Sequence, residues 1–560
     1  MGRIALLTLG VLVWVSGPSA AAEPAKKADQ PAPMRKPEGA REVTNERGEL
    51  TGWEVGLESN AITIVPSGLD KLRSGAAYAP TAITHDFKRR SLTTVAEWEK
   101  YRAEIRQRIL GFLAKLPPRD LPLDARIEPP KPQQDQAKAE GETGRGVHKK
   151  FPPYKDTEDL EVRLVSLAFS KERRGRLCLV IPKGLPAPAP AVIMYGAFGN
   201  GIEQMTEGVY SRAYAVHLAR LGLVVAVLDH WYDEFGKSGE GETIPLGASI
   251  HTGFRALDYL LTQKGLVHPR RIAVVGHVYG AEIAPFLAGL DDRVAACVTS
   301  CSSDEVITDS MAYWGGPSWM GGSRGLGAVR RYQPYMFIGT RRYDLGVSHG
   351  ESGVSAPTLP FLSQEYRALV APRPFLSIQE DVHFMEAVLP VYELYGKADA
   401  VACITHKWKT NLPVNAQEFM LDFLLERMCG IQPGKPPEPI VKQILANLGS
   451  KDAARQAQAA RLAGWWKCKQ AVKELDGLLG SKDAAVRRAA AKALGRAGAV
   501  KQLLKHLKHA DPVVRLAAVE SLQLHGDQDA FHALARGPAD KDRWVGEATF
   551  QTLEINPEEW

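Results

Sequence analysis

The fold of this 560-residue chain is decided by the stretch Arg271-Ile-Ala-Val-Val-Gly276-His277-Val278-Tyr279-Gly280-Ala281-Glu-Ile-Ala-Pro-Phe-Leu-Ala. Its first part is a β-branched apolar run typical of a buried strand, and its last part is typical of an apolar helix. Glycines flank the junction, where a strand and the next helix approach too closely for larger side chains. The pattern predicts a strand, a sharp turn centred on Val278 and a helix.

Outward from this junction, strand patterns alternate with helix patterns. The predicted strands are 160–169, 176–182, 190–196, 223–229, 271–278, 294–301, 374–380 and 402–408, and several are continuous apolar runs covered on both faces. The predicted helices are 208–221, 248–264, 279–289, 385–396 and 415–429. The alternation predicts an α/β domain at 156–430 with a doubly wound, mostly parallel sheet.

The central position of the turn carries no nucleophile. A strand–turn–helix of the form Gly-x-Ser-x-Gly presents a serine hydroxyl above the strand ends, and here that position is Val278. Valine has no hydroxyl, no titratable proton and no lone pair with which to attack a carbonyl. A β-branched residue also fits poorly into the strained, positive-φ conformation of such a nucleophile. We therefore expect a relaxed turn or compensating neighbours.

Further segments carry a resemblance that covers residues 80–430. A helix pattern around Trp98 precedes the sheet, Tyr195-Gly-Ala-Phe-Gly-Asn200 follows the third strand, and Ala371-Pro-Arg-Pro-Phe-Leu-Ser-Ile leads into an acidic loop. Together with the strand–turn–helix around Val278, called the elbow below, these segments resemble α/β-hydrolases of the dienelactone hydrolase and acetyl xylan esterase type. The resemblance implies a serine carboxylic-ester hydrolase with a Ser-His-acid triad and an oxyanion hole of backbone amides.

The resemblance places two triad members on substituted positions. Val278 stands at the nucleophile position, Asp381 fits the acid, and Thr410 or Asn411 stands where the histidine is expected. His383, two residues after Asp381, is a stray candidate base.

The implied oxyanion donors are the backbone amides of Tyr279 and Ala197, which substitution does not delete. The resemblance therefore implies a pocket for a carbohydrate, carbonyl or carboxylate ligand.

Another group near the sixth strand could replace the lost nucleophile. The strand ends in the hydroxyl and thiol groups of Ser300, Cys301, Ser302 and Ser303. The candidate imidazoles are those of His277, His383 and His406, and a serine or cysteine beside a histidine is a workable nucleophile.

The loop after the fourth strand gathers Asp229, His230, Asp233 and Glu234 without zinc-ligand spacing, so no metal and no cofactor is predicted. The long segment 302–370 is expected to fold over the strand ends. Its aromatic residues form either a sugar platform or a local core: Trp314, Trp319, Tyr332 and Tyr335.

The N-terminus is typical of a secretory signal. Residues 1–22 combine Arg3, an apolar run too short to span a bilayer and a small-residue end, which predicts export to the periplasm or the exterior, with a retained anchor as the competing interpretation. Residues 23–45 are predicted to be a disordered linker. Residues 46–155 form an extension with an amphipathic helix at 94–113, which a Thr94/Glu97 capping box begins. No later segment is apolar enough to span a membrane.

After a linker at 431–441, residues 442–560 are helical and repetitive. Ser450-Lys-Asp, Ser481-Lys-Asp, Ala510-Asp-Pro and Ala539-Asp-Lys-Asp recur every 28 to 31 residues and each opens a helix. This all-α region resembles short HEAT-type repeats, which implies a docking element for a protein partner.

The region from Val441 onward holds 19 of the basic and 14 of the acidic residues, an excess of +5 within the whole-chain +6. This excess favours acidic partners or is simply a solvated helix surface. No nucleic-acid partner is predicted. Cys178, Cys297 and Cys403 lie in apolar strand patterns and are expected to be buried free thiols.

The sequence as a whole favours an exported, catalytically inactive esterase-like protein that binds a ligand or partner through its pocket and its repeats. Two alternatives stay open. One is an active carboxylesterase whose nucleophile is Ser300, Cys301 or Ser303, and the other is a scaffold in which only the repeat array is functional.

Overall fold

The computed structural model describes residues 41–44, 50–55, 62–65, 92–113, 116–128, 156–171, 173–196, 202, 206, 214–228, 245–277, 279–300, 363–378, 382–406, 412–525 and 540–552. A twelve-stranded mixed sheet with the order β1-β2-β3-β12-β11-β10-β9-β7-β8-β6-β5-β4 forms its centre. The strands are β1 (Arg41–Thr44), β2 (Leu50–Val55), β3 (Ile62–Val65), β4 (Arg126–Glu128), β5 (Leu160–Ala168), β6 (Arg174–Pro182), β7 (Ala189–Tyr195), β8 (Val224–Leu228), β9 (Val267–His277), β10 (Ala296–Ser300), β11 (Phe375–Ile378) and β12 (Val401–His406).

The middle of the sheet is parallel. The neighbouring strands β8, β7, β9, β10, β11 and β12 all run in one direction. β6 is antiparallel to both β5 and β8. All eight strands that the sequence predicts are present within a few residues of their predicted bounds. The prediction of a doubly wound, mostly parallel sheet is confirmed.

Helices cover both faces of the sheet. Those before the repeats are α1 (Val95–Phe112), α2 (Tyr214–Arg220), α3 (Pro245–Thr262), α4 (Tyr279–Leu290), α5 (Ser363–Ala368), α6 (Val382–Leu394) and α7 (Val414–Cys429). One apolar core lies on the face covered by α2 and α7. A second core lies on the face covered by α1, α3, α4 and α6. Residues 156–429, which include most of this sheet, are called the hydrolase-type domain below.

The sheet is wider than the sequence predicts. Strands β1 to β3 extend it beyond β12, and β4 extends it beyond β5. The prediction of a linker over 23–45 is wrong at its end, because β1 already begins at Arg41. These are edge strands of three to six residues, which are too short for the alternation of apolar and polar residues to register.

Helix α1 begins as its sequence predicts. The Glu97 amide donates to Thr94 Oγ1 at 3.2 Å, and the Thr94 amide donates to Glu97 Oε2 at 3.1 Å, so the capping box is complete. Trp98, Tyr101 and Ile105 recur at helical spacing and are buried against the sheet. The amphipathic helix predicted at 94–113 is therefore confirmed.

The C-terminal region is an array of paired helices, called the repeat array below (residues 438–552). Its helices are α8 (Glu438–Leu448), α9 (Ala453–Trp465), α10 (Val472–Leu478), α11 (Ala484–Arg496), α12 (Val500–Leu504), α13 (Pro512–His525) and α14 (Arg543–Thr552). Helices α9, α11 and α13 pack in a row as an inner layer, and α8, α10 and α12 pack on them as an outer layer. Because α8 begins at Glu438, the array starts inside the linker predicted at 431–441.

The aspartate that recurs in the repeat sequence begins the inner helices. Asp452 and Asp483 each accept backbone amides of the first turn, the Ala454 amide at 2.9 Å and the Val486 amide at 3.0 Å. Asp511 accepts the Val513 amide at 2.9 Å in the same way. The period of about 30 residues is therefore the period of an N-cap, which explains why this residue recurs.

The inner layer packs directly on the hydrolase-type domain. Trp465 Nε1 donates to the Leu221 carbonyl at 2.7 Å, and the Arg461 guanidinium donates to the carbonyls of Arg220 and Lys183 at 2.9 and 2.8 Å. Buried residues of both regions form one continuous core. The repeat array thus completes the core on one face of the sheet.

Buried ion pairs reinforce this contact. Arg496 on α11 bonds Glu418 and, at 2.6 Å, Asp422, both on α7. Burial raises the pKa of Glu418. At Asp422 burial also opposes ionisation, but Lys467 and Arg496 outweigh it and lower the pKa. Removing one partner would leave a buried charge uncompensated, which is far costlier than losing a surface pair.

Another buried carboxylate, that of Asp159, lies between the two regions. It accepts Arg220 Nε at 2.9 Å and also bonds Arg488 on α11. Burial alone would raise its pKa, but these two guanidinium groups hold the pKa of Asp159 well below its usual range. The array therefore supplies a cation that the buried edge of the hydrolase-type domain needs.

Cys178, Cys297 and Cys403 are buried free thiols, so that prediction is confirmed. Among the described residues, no helix combines the length and apolar character needed to cross a membrane. The predicted signal at 1–22 lies outside the described residues.

Candidate functional site

The predicted site residues follow the carboxyl ends of parallel strands. Strands β7, β9, β10, β11 and β12 end at Tyr195, His277, Ser300, Ile378 and His406. Because these strands are parallel neighbours, their ends meet at one edge of the sheet, the usual place for an active site in an open α/β sheet. His277, Tyr279 and Ser300 lie at that edge, and the other predicted positions follow these strand ends in the sequence.

Several of these positions lie outside the described residues: Ala197, Val278, Cys301, Ser302, Ser303, Asp381, Thr410 and Asn411. The same holds for Asp229, His230, Asp233 and Glu234 and for the aromatic residues Trp314, Trp319, Tyr332 and Tyr335. Their predicted roles stay predictions. Tyr279 begins α4 and His383 lies in the first turn of α6, so their backbone positions are described.

The predicted strand–turn–helix is present, and its turn is as short as possible. β9 ends at His277 and α4 begins at Tyr279, so residue 278 alone connects them. A Cβ on Gly276 would lie 2.0 Å from the Gly280 carbonyl oxygen, and one on Gly280 would lie 2.4 Å from the Tyr195 carbonyl oxygen. Only glycine permits these approaches, as the sequence predicts.

The elbow is also bonded to the end of β7. The Gly280 amide donates to the Gly196 carbonyl at 3.0 Å, which joins α4 to the turn expected to supply the second oxyanion donor. Beneath that turn, the Tyr195 hydroxyl donates to the Ser249 carbonyl on α3 at 3.0 Å. Burial raises the pKa of Tyr195 far above its usual value, so the hydroxyl stays a neutral donor. Two helices and a strand therefore hold this corner in place.

A histidine–serine pair lies directly below the elbow. His277 and Ser300 are register partners on β9 and β10, and His277 Nδ1 lies 3.3 Å from Ser300 Oγ. Both side chains are buried, with Ser300 1 % and His277 6 % exposed. The sequence names each residue as a candidate, but the strand pairing that joins them is visible only in the structure.

Tyr214 is a member of this cluster that sequence reasoning missed. Its ring meets the His277 ring edge-on, with centroids 5.2 Å apart. Its hydroxyl accepts the Leu412 amide at 2.7 Å, at the end of the loop predicted to hold the histidine position. Tyr214 lies in a short, core-like helix with no motif around it, so no sequence signal could have found it.

In the described part of the chain, no group of three His, Cys, Asp or Glu side chains is placed to hold a metal ion. The site geometry thus consists of a one-residue turn at a helix N-terminus, a bonded glycine turn beside it and a buried histidine–serine pair beneath it.

Residues 439–503 match the family model described as HEAT repeats. The chain joins an α/β-hydrolase fold to C-terminal HEAT repeats. The sheet order and strand directions carry the first half of that statement, and the paired helices with this match carry the second.

Other similarities concern the hydrolase-type domain. The protein "Putative hydrolase YtaP" of Bacillus subtilis (strain 168) is 28 % identical over 166 residues, which are 26 % of this chain and 54 % of that relative. The chain thus spans about half the length of this curated relative. A glucuronoyl esterase from Solibacter usitatus is 18 % identical with a TM-score of 0.41, covering 60 % of this chain and 94 % of the other. An acetyl xylan esterase from Paenibacillus sp. R4 is 15 % identical with a TM-score of 0.36, covering 60 % and 96 %.

Proposed function

We propose that this protein binds a carbonyl- or carboxylate-bearing carbohydrate at the carboxyl edge of its sheet without hydrolysing an ester through residue 278. The observation that carries the proposal is the one-residue turn between His277 and Tyr279, which retains the strand, glycines and helix of a nucleophile elbow around a valine. A valine side chain cannot form an acyl-enzyme. The resemblance to acetyl xylan esterases suggests which ligands to test first.

The binding chemistry comes from the backbone. Tyr279 is the first residue of α4, a twelve-residue helix, and the amide at that position has no acceptor within its own helix. The positive end of the helix dipole favours a carbonyl or carboxylate oxygen at the same place. The bonded turn at Gly196 lies beside it and would bring the Ala197 amide to the same ligand. We also infer export from the predicted signal at 1–22.

The proposal predicts binding without turnover. With 4-nitrophenyl acetate, acetylated xylan and a methyl glucuronate ester, we expect no hydrolysis above that of buffer, while acetylated or glucuronate-bearing xylo-oligosaccharides bind by calorimetry. Val278→Ser is expected to stay inactive, because Thr410 and Asn411 cannot take the serine proton. Hydrolysis by the natural chain, or its appearance in Val278→Ser, would contradict the proposal.

A second function is favoured by the pair of Ser300 and His277. A serine hydroxyl 3.3 Å from an imidazole nitrogen is the arrangement that activates a nucleophile, so Ser300 is the described candidate for an active carboxylesterase. Its burial argues against this role, since an ester must reach the hydroxyl.

The second function makes its own prediction. If the natural chain shows esterase activity, Ser300→Ala should abolish it and leave the unfolding midpoint within a few degrees. Ser377→Ala, which removes a buried hydroxyl on the neighbouring strand β11, is the matched control and should keep the activity. Activity that survives in Ser300→Ala would exclude Ser300 as the nucleophile.

The third possibility is that only the array is functional. A protein partner would then need a surface of the array that the rest of the chain does not cover. In the described residues the inner layer contacts the chain's own hydrolase-type domain through Arg461, Trp465 and Arg496. A partner of the array would therefore meet the outer layer.

A further inference from the structure

In the repeat array, arginine and lysine side chains point in different directions. Its arginines mostly point inward: Arg461, Arg488 and Arg496 contact the hydrolase-type domain, and Arg487 and Arg515 bond the aspartates of the next repeat. Its lysines mostly point outward. This division fits the chemistry of the two side chains, because the planar guanidinium suits buried pairs and the hydrated ammonium suits solvent.

The exposed surface of the array is consequently basic. Over residues 438–525, nine basic side chains and four acidic side chains are exposed. The basic ones are Lys442, Lys451, Arg455, Lys469, Lys473, Lys482, Lys501, Lys505 and Lys508, and the acidic ones are Glu438, Asp452, Glu474 and Asp483. Two of these acids, Asp452 and Asp483, already accept backbone amides as N-caps. The exposed surface of the array therefore carries a stronger excess of positive charge than the net charge of +6 for the whole chain suggests.

Five of these lysines belong to one region of the outer layer, called the lysine ridge: Lys469, Lys473, Lys501, Lys505 and Lys508. Consecutive repeats are joined there, since His506 Nε2 lies 3.4 Å from Asp476 Oδ1. Lys473 precedes Asp476 by about one helical turn and Lys505 is the chain neighbour of His506, so lysines of both repeats flank this contact. Glu474 and Asp476 are the acidic side chains on the same segments.

We propose that the lysine ridge binds an acidic polysaccharide through its carboxylates. Exposed lysines on two consecutive repeats, each with a flexible side chain, suit a flexible polyanion with regularly spaced single charges. In the described part of the array no large apolar side chain is exposed, so the ridge lacks the anchors of a membrane-surface helix. Arginine is the side chain that binds phosphate with bidentate hydrogen bonds, and most of the array's arginines point inward. This arrangement favours a carboxylate polymer over a phosphate polymer.

The test is binding of polygalacturonate to the full chain, measured at several salt concentrations. The affinity should fall steeply as salt rises, because the polymer releases counterions on binding. The variant K469Q/K473Q/K501Q/K505Q should bind at least about tenfold more weakly and show a salt slope smaller by roughly three to four. Its unfolding midpoint should be unchanged, since all four side chains are exposed.

The control removes as many exposed lysines from outside the array. K100Q/K171Q/K264Q/K397Q lowers the net charge equally and should bind polygalacturonate as the natural chain does. An equal loss in both variants would show only a net-charge effect and would overturn the proposal, as would unchanged binding in the ridge variant. Tighter binding to duplex DNA or to phosphatidylglycerol vesicles would overturn the assignment to a polysaccharide.

Discussion

A chain that ends at Lys435, and so lacks the repeat array, is expected not to fold cooperatively. The deletion removes Trp465, which is buried against Leu221, and the loss of a buried tryptophan costs about 3–5 kcal/mol. It also removes Arg488 and Arg496, which takes one of the two guanidinium partners from Asp159 and the guanidinium partner from Glu418. The deletion also exposes the apolar core that the two regions share, and together these losses are comparable with the typical stability of a domain, about 5–15 kcal/mol.

The measurement is solubility and thermal unfolding of the truncated chain, followed by circular dichroism. The control is a chain that ends at His525, which lacks α14 but keeps the inner helices α9, α11 and α13. The control should retain a cooperative transition, lowered by a few degrees. A soluble chain ending at Lys435 with a transition close to that of the full protein would show that the interface contributes little stability.

The contact between the repeat array and the hydrolase-type domain can be predicted from the sequence only in part. The repeat period, the helix starts and the apolar faces of the array could be predicted, because they depend on residues near one another in the chain. The surface that covers the inner layer could not be predicted, because it is formed by residues far apart in the sequence. Gly222 shows the difference: its sequence context is an ordinary turn, yet a Cβ there would lie 2.8 Å from Trp465 Nε1.

The candidate site, too, has features that the sequence predicts and features that it does not. The elbow can be predicted because two glycines at fixed spacing indicate a close approach of strand and helix, and both approaches are present. The pair of His277 and Ser300 depends on the register of β9 against β10, which no local pattern encodes. Tyr214 joins this pair from a helix on the face that the array covers. Tyr214 on α2 therefore shares a face of the sheet with the array, whereas α4, which begins at the elbow, covers the opposite face.

Replacing Gly280 by alanine is expected to disrupt the elbow itself. The added Cβ would lie 2.4 Å from the Tyr195 carbonyl oxygen and 2.7 Å from the Gly196 carbonyl oxygen. Both are backbone atoms in or beside a central strand, which cannot move aside as the end of a flexible side chain can. We expect a loss of about 3 kcal/mol in the free energy of unfolding. Helix α4 would have to shift away from β7, which separates the Tyr279 amide from the Gly196 turn and should abolish ligand binding.

Urea denaturation and calorimetry of the Gly280→Ala variant check both expectations. Gly111→Ala is the matched control, because a Cβ at that position of α1 has no atom within 4 Å. It should leave binding intact and stabilise the chain by up to about 1 kcal/mol through its higher helix propensity. If Gly280→Ala were as stable as Gly111→Ala, the close approach at the elbow would be wrong. If it were destabilised but bound ligand normally, the two turns would not form the binding site, because binding there requires both in their present positions.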